Sequence, residues 1–323
     1  MRNLLFIDAI REATAQSMKL DKKVIIYGLG VGKTSNIYGS TKNLTKDFGK
    51  KRVFDTPSSE SALTAMALGM SLTGVRPVLV HQRFDFMLYS MDQIVNWISL
   101  WSYKSGGQSC LPIVIRVIVG RGWGQGPQHS KTLHSWFSHL PGLSVVYPSS
   151  PHEAKGLLMS SIFSNFPTIF FESRSLHNLK EDVPEKPYYI DPTRAFIRKK
   201  GTDITLISFG PSVKEASEVS ILLKKQKVFV ELLDMRSLNP IDYTTILKSV
   251  KKTGCVAFLE HGWPNSSIAS EVISKISENV KLKRRPLKFC WPNSYVPTSE
   301  KLEKEFYLDS KKIFLKILNH LKN

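Results

Sequence analysis

One carboxylate is singled out by its position. Glu60 follows Arg52-Val53-Phe54-Asp55-Thr56-Pro57-Ser58-Ser59, a short strand, a proline stop and a small polar loop. It opens an alanine-rich helix that runs to Gly74. An acid in the first helical turn complements the helix dipole, which is by itself a sufficient reason for a carboxylate there. The same position also aims a carboxylate outward from a sheet edge. Two further loops carry polar chemistry. One is Gln82-Arg83-Phe84-Asp85-Phe86, after a strand ending at His81. The other spans residues 120–130, with four glycines in its first seven positions and then His129. Ordering glycine is costly, so such a run points to close approach by a ligand or partner. Aromatic residues such as Phe84 and Phe86 belong most often to cores. His134 and His139 repeat at five-residue intervals from His129, which spreads them over different helix faces and argues against a metal cluster.

The elements that must position these loops are legible as an alternation. Residues 3–19 show apolar positions at helical spacing (Leu5, Ala9, Ile10, Ala13), and residues 23–28 read as a buried strand. The run Gly28-Leu29-Gly30-Val31-Gly32-Lys33-Thr34-Ser35 is a near miss for a phosphate-binding loop, since only three residues separate Gly28 from Gly32 and no convincing helix follows. Strands are expected at 77–81, 112–119, 144–147 and 168–172, with helices after Glu60, over 91–98 and from Pro151 to Ile162. The unbroken apolar character of 112–119 is that of a parallel strand covered on both faces. Residues 177–200 lose periodicity and gain prolines, and read as a linker. Strand-helix alternation then restarts: strands at 203–208, 228–233 and 255–259, helices at 212–225 and 240–251 and from Asn265. This spacing predicts two doubly wound α/β domains, with ligands gathering where the parallel strands end.

Bulk properties narrow the classes. A chain of 323 residues suits two α/β domains, and 42% hydrophobic with 22% charged residues is ordinary for a globular protein. No apolar run approaches the ~20 residues of a membrane span. Asp8 comes too early for a signal-peptide core, and three scattered cysteines fit a reducing compartment, so a cytoplasmic location is expected. The net charge of +18 is carried by lysines spread along the whole chain, which reads as a solvated surface and not as a nucleic-acid footprint.

The ordered set of motifs matches a family. Residues 52–60 are followed by Met91-Asp92-Gln93-Ile94-Val95-Asn96, Gln128-His129-Ser130, Pro141-Gly142-Leu143-Ser144-Val145-Val146-Tyr147-Pro148 and Glu153-Ala154-Lys155-Gly156-Leu157-Leu158. Then come Asp234-Met235-Arg236-Ser237-Leu238-Asn239-Pro240 and Glu260-His261-Gly262-Trp263-Pro264. Over nearly its whole length the chain resembles the β subunit of the thiamine diphosphate-dependent component of 2-oxo acid dehydrogenase complexes, pyruvate or branched-chain type, in the transketolase-like superfamily.

The resemblance implies a pyrimidine-binding domain over 1–176, a linker over 177–200 and a smaller transketolase C-terminal-like domain over 201–323. It implies that Glu60 hydrogen-bonds the aminopyrimidine ring of thiamine diphosphate and that His129 assists later steps, including acyl transfer to a lipoyl group. Phe86 is implied to stack on the pyrimidine, with Phe84 as the neighbouring alternative and Gln82 beside them. Family members hold Mg²⁺ and the diphosphate through a Gly-Asp-Gly motif on an α subunit. This chain has no such motif, so no metal ligand is expected here. An obligate α partner in an α2β2 heterotetramer is expected instead, with a lipoyl acyltransferase as a further partner class. The implied reaction is oxidative decarboxylation of a small, pyruvate-like 2-oxo acid. The alternatives are a split transketolase-like carboligase subunit and a non-catalytic scaffold subunit. The chain departs from the family pattern at Leu29, where an acid is usual, and at Arg121, Trp123 and Gln125.

Overall fold

Runs of Val, Ile and Leu form strands buried on both faces, and the helices between them turn small or apolar stripes onto the sheets. The computed structural model describes residues 2–32, 36–122 and 124–322. Lys33, Thr34 and Ser35 of the near-P-loop, and Trp123, lie outside the described residues. In chain order, β1 (Arg2–Leu5) leads to α1 (Phe6–Leu20), β2 (Val24–Gly28), α2 (Leu44–Phe48), β3 (Val53–Asp55), α3 (Glu60–Leu72) and β4 (Arg76–His81). The one-turn α4 (Phe84–Met87) and a helical stretch ending in α5 (Ser99–Lys104) precede β5 (Val114–Val119), α6 (His134–Ser138), β6 (Ser144–Val146), α7 (Pro151–Phe163) and β7 (Thr168–Ser173). After β8 (Lys180–Val183) and β9 (Phe196–Lys199) come β10 (Ile204–Ser208), α8 (Ser212–Lys225), β11 (Val230–Asp234), β12 (Ser237–Asn239) and α9 (Tyr243–Thr253). The chain closes with β13 (Val256–Leu259), α10 (Ile268–Asn279), β14 (Leu287–Phe289), α11 (Glu300–Phe306) and α12 (Ser310–Lys322).

Among the described residues, seven strands form the first sheet in the order β12-β6-β7-β5-β4-β2-β3, parallel except for β12. Five form the second, β14-β13-β10-β11-β9, parallel except for β9. α1 and α7 cover one face of the first sheet through a cluster that includes Phe6, Ile10, Val80, Ile118 and Leu158. The opposite face shares a cluster with the second sheet, in which Leu68, Ile115 and Phe171 join Phe209, Leu233 and Phe258. Two doubly wound sheets therefore meet through one apolar core. The starts of helices are chemically marked: Ser150 accepts the Glu153 N–H with Pro151 in the first turn, and Asp242 accepts from Thr245. No helix among the described residues is long and apolar enough to cross a membrane.

β1, β8, β9 and β12 lie where local pattern carries no strand signal. Residues 2–5 are extended, not helical, because their backbone pairs antiparallel with β8. β8 and β9 both fall within the aperiodic stretch 177–200, and β9 closes one edge of the second sheet. β12 leaves the second half to pair with β6 at the edge of the first sheet. Each is short and depends on a distant partner strand, so local pattern carries little of it.

Strand order fixes where a ligand can sit. β2 has β3 on one side and β4 on the other, so connections leave it in opposite directions. The crevice beyond the carboxyl ends of such strands is the usual ligand position in open α/β sheets.

Candidate active site

Glu60 is set in place from below. β3 hands the chain through Pro57 to α3, whose first turn closes with the Leu63 N–H on the Ser59 carbonyl at 2.9 Å. The Tyr27 hydroxyl of β2 donates to the Leu63 carbonyl at 2.8 Å, and its ring stacks on Phe54 of β3. Leu63, Ala67 and Leu68 bury the inner side of the helix. Glu60 thus sits half-buried at a helix N-terminus whose backbone is held from both sides.

The neighbouring turn at the end of β2 comes as close as a backbone can. A Cβ on Gly28 would lie 2.3 Å from the Val80 carbonyl oxygen, and φ is +147° there, so only glycine fits. The carboxylate of Asp55 accepts the Gly30 N–H at 2.5 Å and shapes the turn that presents Leu29. Leu29, Glu60, His81, Gln82, Arg83 and Phe86 are among the residues lining a cavity of about 70 Å³ at the switch point. Gln82, Arg83 and Phe86 also line an adjoining cavity of about 470 Å³ with Gln125 and His129. The three loops singled out in the sequence therefore meet. A larger groove of about 1000 Å³ between α6, α9 and α10 contains none of their candidate residues, so size alone does not mark the site.

Phe84 and Phe86 part company on the one-turn α4. Phe86 faces the crevice, with the His129 ring edge-on at 5.6 Å. Phe84 is a correction to the sequence reading: it is fully buried against Phe137 and Phe171, with ring centroids 5.9 and 5.6 Å away, on the core side of the turn. Arg83 spans the crevice wall. It donates to Gln125 Oε1 at 3.2 Å and to the Tyr38 hydroxyl, and Tyr38 lies between the Arg83 and Arg174 guanidinium groups. Asp85 is buried, and burial raises its carboxyl above the usual range, although the Lys131 ammonium 3.6 Å away opposes this.

His81, at the end of β4, was visible in the sequence only as a strand terminus. It is buried, its Nε2 has no hydrogen-bond partner among the described residues, and burial pushes its pKa from 6.5 down to about 4. The sign follows from linkage. The unfolded chain binds the proton better than the folded one, so the stabilisation is complete above pH 6.5 and is lost as pH falls towards 4. His81 alone contributes roughly 3 kcal/mol to that loss. Denaturation midpoints measured between pH 7.5 and 4.5 are expected to fall steeply in the native chain and less so in His81→Gln; parallel profiles would exclude His81 as a contributor. His177, held near 3 by burial and by Arg174 and Arg116, adds to the same trend.

The donor set suits a flat heteroaromatic ring with hydrogen-bonding nitrogens: one carboxylate, one aromatic face, one side-chain amide, an apolar wall and an unmet polar atom on His81. It does not suit a metal–diphosphate group. No cluster of three or more His, Cys, Asp or Glu that could hold a metal ion occurs among the described residues.

Comparison with known proteins gives the family. Residues 3–180 match the family described as transketolase, pyrimidine binding domain, and residues 194–313 match the transketolase C-terminal domain. Pyruvate dehydrogenase E1 component subunit beta of Staphylococcus epidermidis is 36% identical over 283 residues, covering 87% of each chain. The chain belongs to this family. The Bacillus subtilis member is 34% identical over 303 residues, 93% of each chain. A solved structure described as split gene transketolase, inactive beta4 tetramer, superposes with a TM-score of 0.81 over 99% of this chain and 98% of its own. At 19% identity that likeness bears on the fold alone. In this chain Leu29, Arg83 and Gln125 stand in the wall of the crevice.

Proposed function

We propose that the chain is the β subunit of a thiamine diphosphate-dependent 2-oxo acid dehydrogenase acting on a pyruvate-like substrate, with acyl transfer to a lipoyl group. The observation that carries the reading is the meeting of Glu60, Gln82, Phe86 and His129 at one switch-point crevice. In this reading Glu60 holds and returns a proton at a ring nitrogen of the aminopyrimidine. Phe86 offers its face to that ring, and Gln82 supplies an amide to its edge. When bound, thiamine diphosphate supplies the electron sink for cleavage of the carbon–carbon bond next to the substrate carboxylate. His129, at the mouth of the wider cavity, moves protons in the later acyl-transfer steps.

A partner chain is part of the proposal, as an α subunit in an α2β2 assembly that brings the Mg²⁺ ligands absent here. The helical stretch over 88–104 supports this. It exposes Tyr89, Trp97, Leu100 and Tyr103, and it packs beside α3, the helix that begins with Glu60. Large apolar residues grouped in this way mark an interaction surface.

The test pairs the chain with a candidate α subunit that carries Gly-Asp-Gly. Calorimetric titration is expected to show thiamine diphosphate and Mg²⁺ binding to the pair and not to this chain alone. The pair should then acylate a lipoyl domain from a 2-oxo acid in preference to condensing it with an aldehyde. Preference for the aldehyde would favour the carboligase alternative, and a pair that binds no cofactor would sink both enzymatic readings.

A further inference from the structure

The glycine-rich loop over 120–126 is not held by its own sheet alone. Gly122, Gly124 and Gly126 all adopt left-handed backbone conformations, with φ of +76°, +65° and +67°. In that form the loop turns two N–H groups the same way, and one carboxylate from the far end of the chain takes both. Glu303 of α11 accepts from Gly122 at 2.8 Å through Oε1 and from Gly124 at 3.0 Å through Oε2. Glu303 is 4% exposed, and the Tyr307 hydroxyl donates to its Oε1 at 3.0 Å. The contact is close enough that a Cβ on Gly126 would lie 2.5 Å from Thr298 Oγ1. Arg121, between the hydrogen-bonded glycines and the sheet, is tied to the same half of the molecule. It donates to Glu215 at 3.0 Å, meets His261 Nδ1 at 2.9 Å and lies over the Tyr307 ring at 4.4 Å. Burial alone would raise the Glu215 carboxyl, but His261 and Arg121 hold it down at about 2, so this anchor is an ion pair through the neutral range.

The downstream end of the loop carries Gln125 and His129 into the crevice, against Arg83 and Phe86. We propose that Glu303 is a positioning residue, whose carboxylate holds the glycine-rich loop in the one backbone conformation that presents Gln125 and His129 to the site. Charge-assisted bonds from two backbone N–H groups to one carboxylate are the strong kind, and glycine's freedom makes the loop dependent on them. The second half of the chain thereby shapes the crevice of the first. The catalytic part of this inference rests on the function proposed above; the structural part does not.

Glu303→Gln tests it with little change of shape, since an amide offers one acceptor where two are needed. Amide hydrogen exchange in the full chain is expected to speed up at least tenfold over residues 120–130 in Glu303→Gln and Glu303→Ala, with protection in β5 and β10 retained. Glu300→Gln, on an exposed side chain of the same helix, is the control and should exchange as the native chain does. In the complete αβ assembly, both Glu303 variants should lower kcat at least tenfold while the Kd for thiamine diphosphate changes less than twofold. That is the signature expected of a His129 variant, because the pyrimidine-facing groups lie on other loops. Unchanged exchange over 120–130 would overturn the inference, as would faster exchange with unaltered kcat. If the native assembly binds no cofactor, the functional reading fails, and the exchange result alone decides whether Glu303 holds the loop.

Discussion

Glu60→Gln, in the chain assembled with its partner, is expected to lower turnover by roughly 10²–10⁴-fold while assembly and melting temperature stay as they are. Glutamine keeps the size and one acceptor of the side chain but cannot hold a transferable proton. Nothing that builds the start of α3 uses the carboxylate. The first turn is closed by backbone bonds, the Thr64 hydroxyl donates to the Glu60 carbonyl oxygen, and Tyr27 anchors Leu63. The competing account, an acid placed only to complement the helix dipole, allows a stability change of about 0.3–1 kcal/mol and no catalytic effect. The two accounts therefore predict opposite pairs of results. Turnover within tenfold of the native assembly, measured with saturating cofactor, would remove Glu60 from the mechanism. A loss of cofactor affinity alone would make it a binding group only.

Glu60 is legible in the sequence because its setting is local. A carboxylate after a strand, a proline and a polar loop is a local pattern, and the buried runs of β4 and β5 say that the next two loops emerge from the same sheet. Convergence of Glu60, Gln82, Phe86 and His129 follows from parallel strands ending on one edge. Alternation could not decide between Phe84 and Phe86, because both lie within a single helical turn, two residues apart, and only packing against Phe137 and Phe171 tells which one is core. The departure at Leu29 was plain, but the carboxylate that organises that turn, Asp55, is supplied by the neighbouring strand. Glu303 was out of reach altogether. Its partners are 181 and 179 residues away, and one acid among three in the short, charged helix α11 carries no sign of them. The rule is physical: what depends on one element's own periodicity is legible, and what depends on a meeting of two distant loops is not.

The apolar strand β5 contains one exception, and its replacement should have the largest effect on stability. Arg116 and Glu172, on the adjacent strands β5 and β7, are each 0% exposed and form a two-point contact, Nε to Oε1 at 2.5 Å and Nη2 to Oε2 at 3.0 Å. Arg116→Met leaves a carboxylate buried without its counter-charge and is expected to cost about 3–5 kcal/mol, read as a lowered urea midpoint. Adding Glu172→Leu removes the stranded charge, and the double variant should recover native stability or exceed it, since a well-packed apolar pair replaces a buried ion pair at little or no cost. Equal loss in the single and double variants would show that packing, not charge, sets the effect. The pair then has to be kept for something other than stability, and its location suggests what. β5 runs out at Val119 into the glycine-rich loop, and β7 runs out at Ser173 towards Arg174 and His177 beside Tyr38. A bidentate contact fixes the relative advance of the two strand ends more tightly than aliphatic side chains can. The double variant should therefore match the native chain in urea but show faster amide exchange over residues 120–130. Native-like exchange there would mean that Glu303 and Arg121 hold the loop without help from the sheet beneath it.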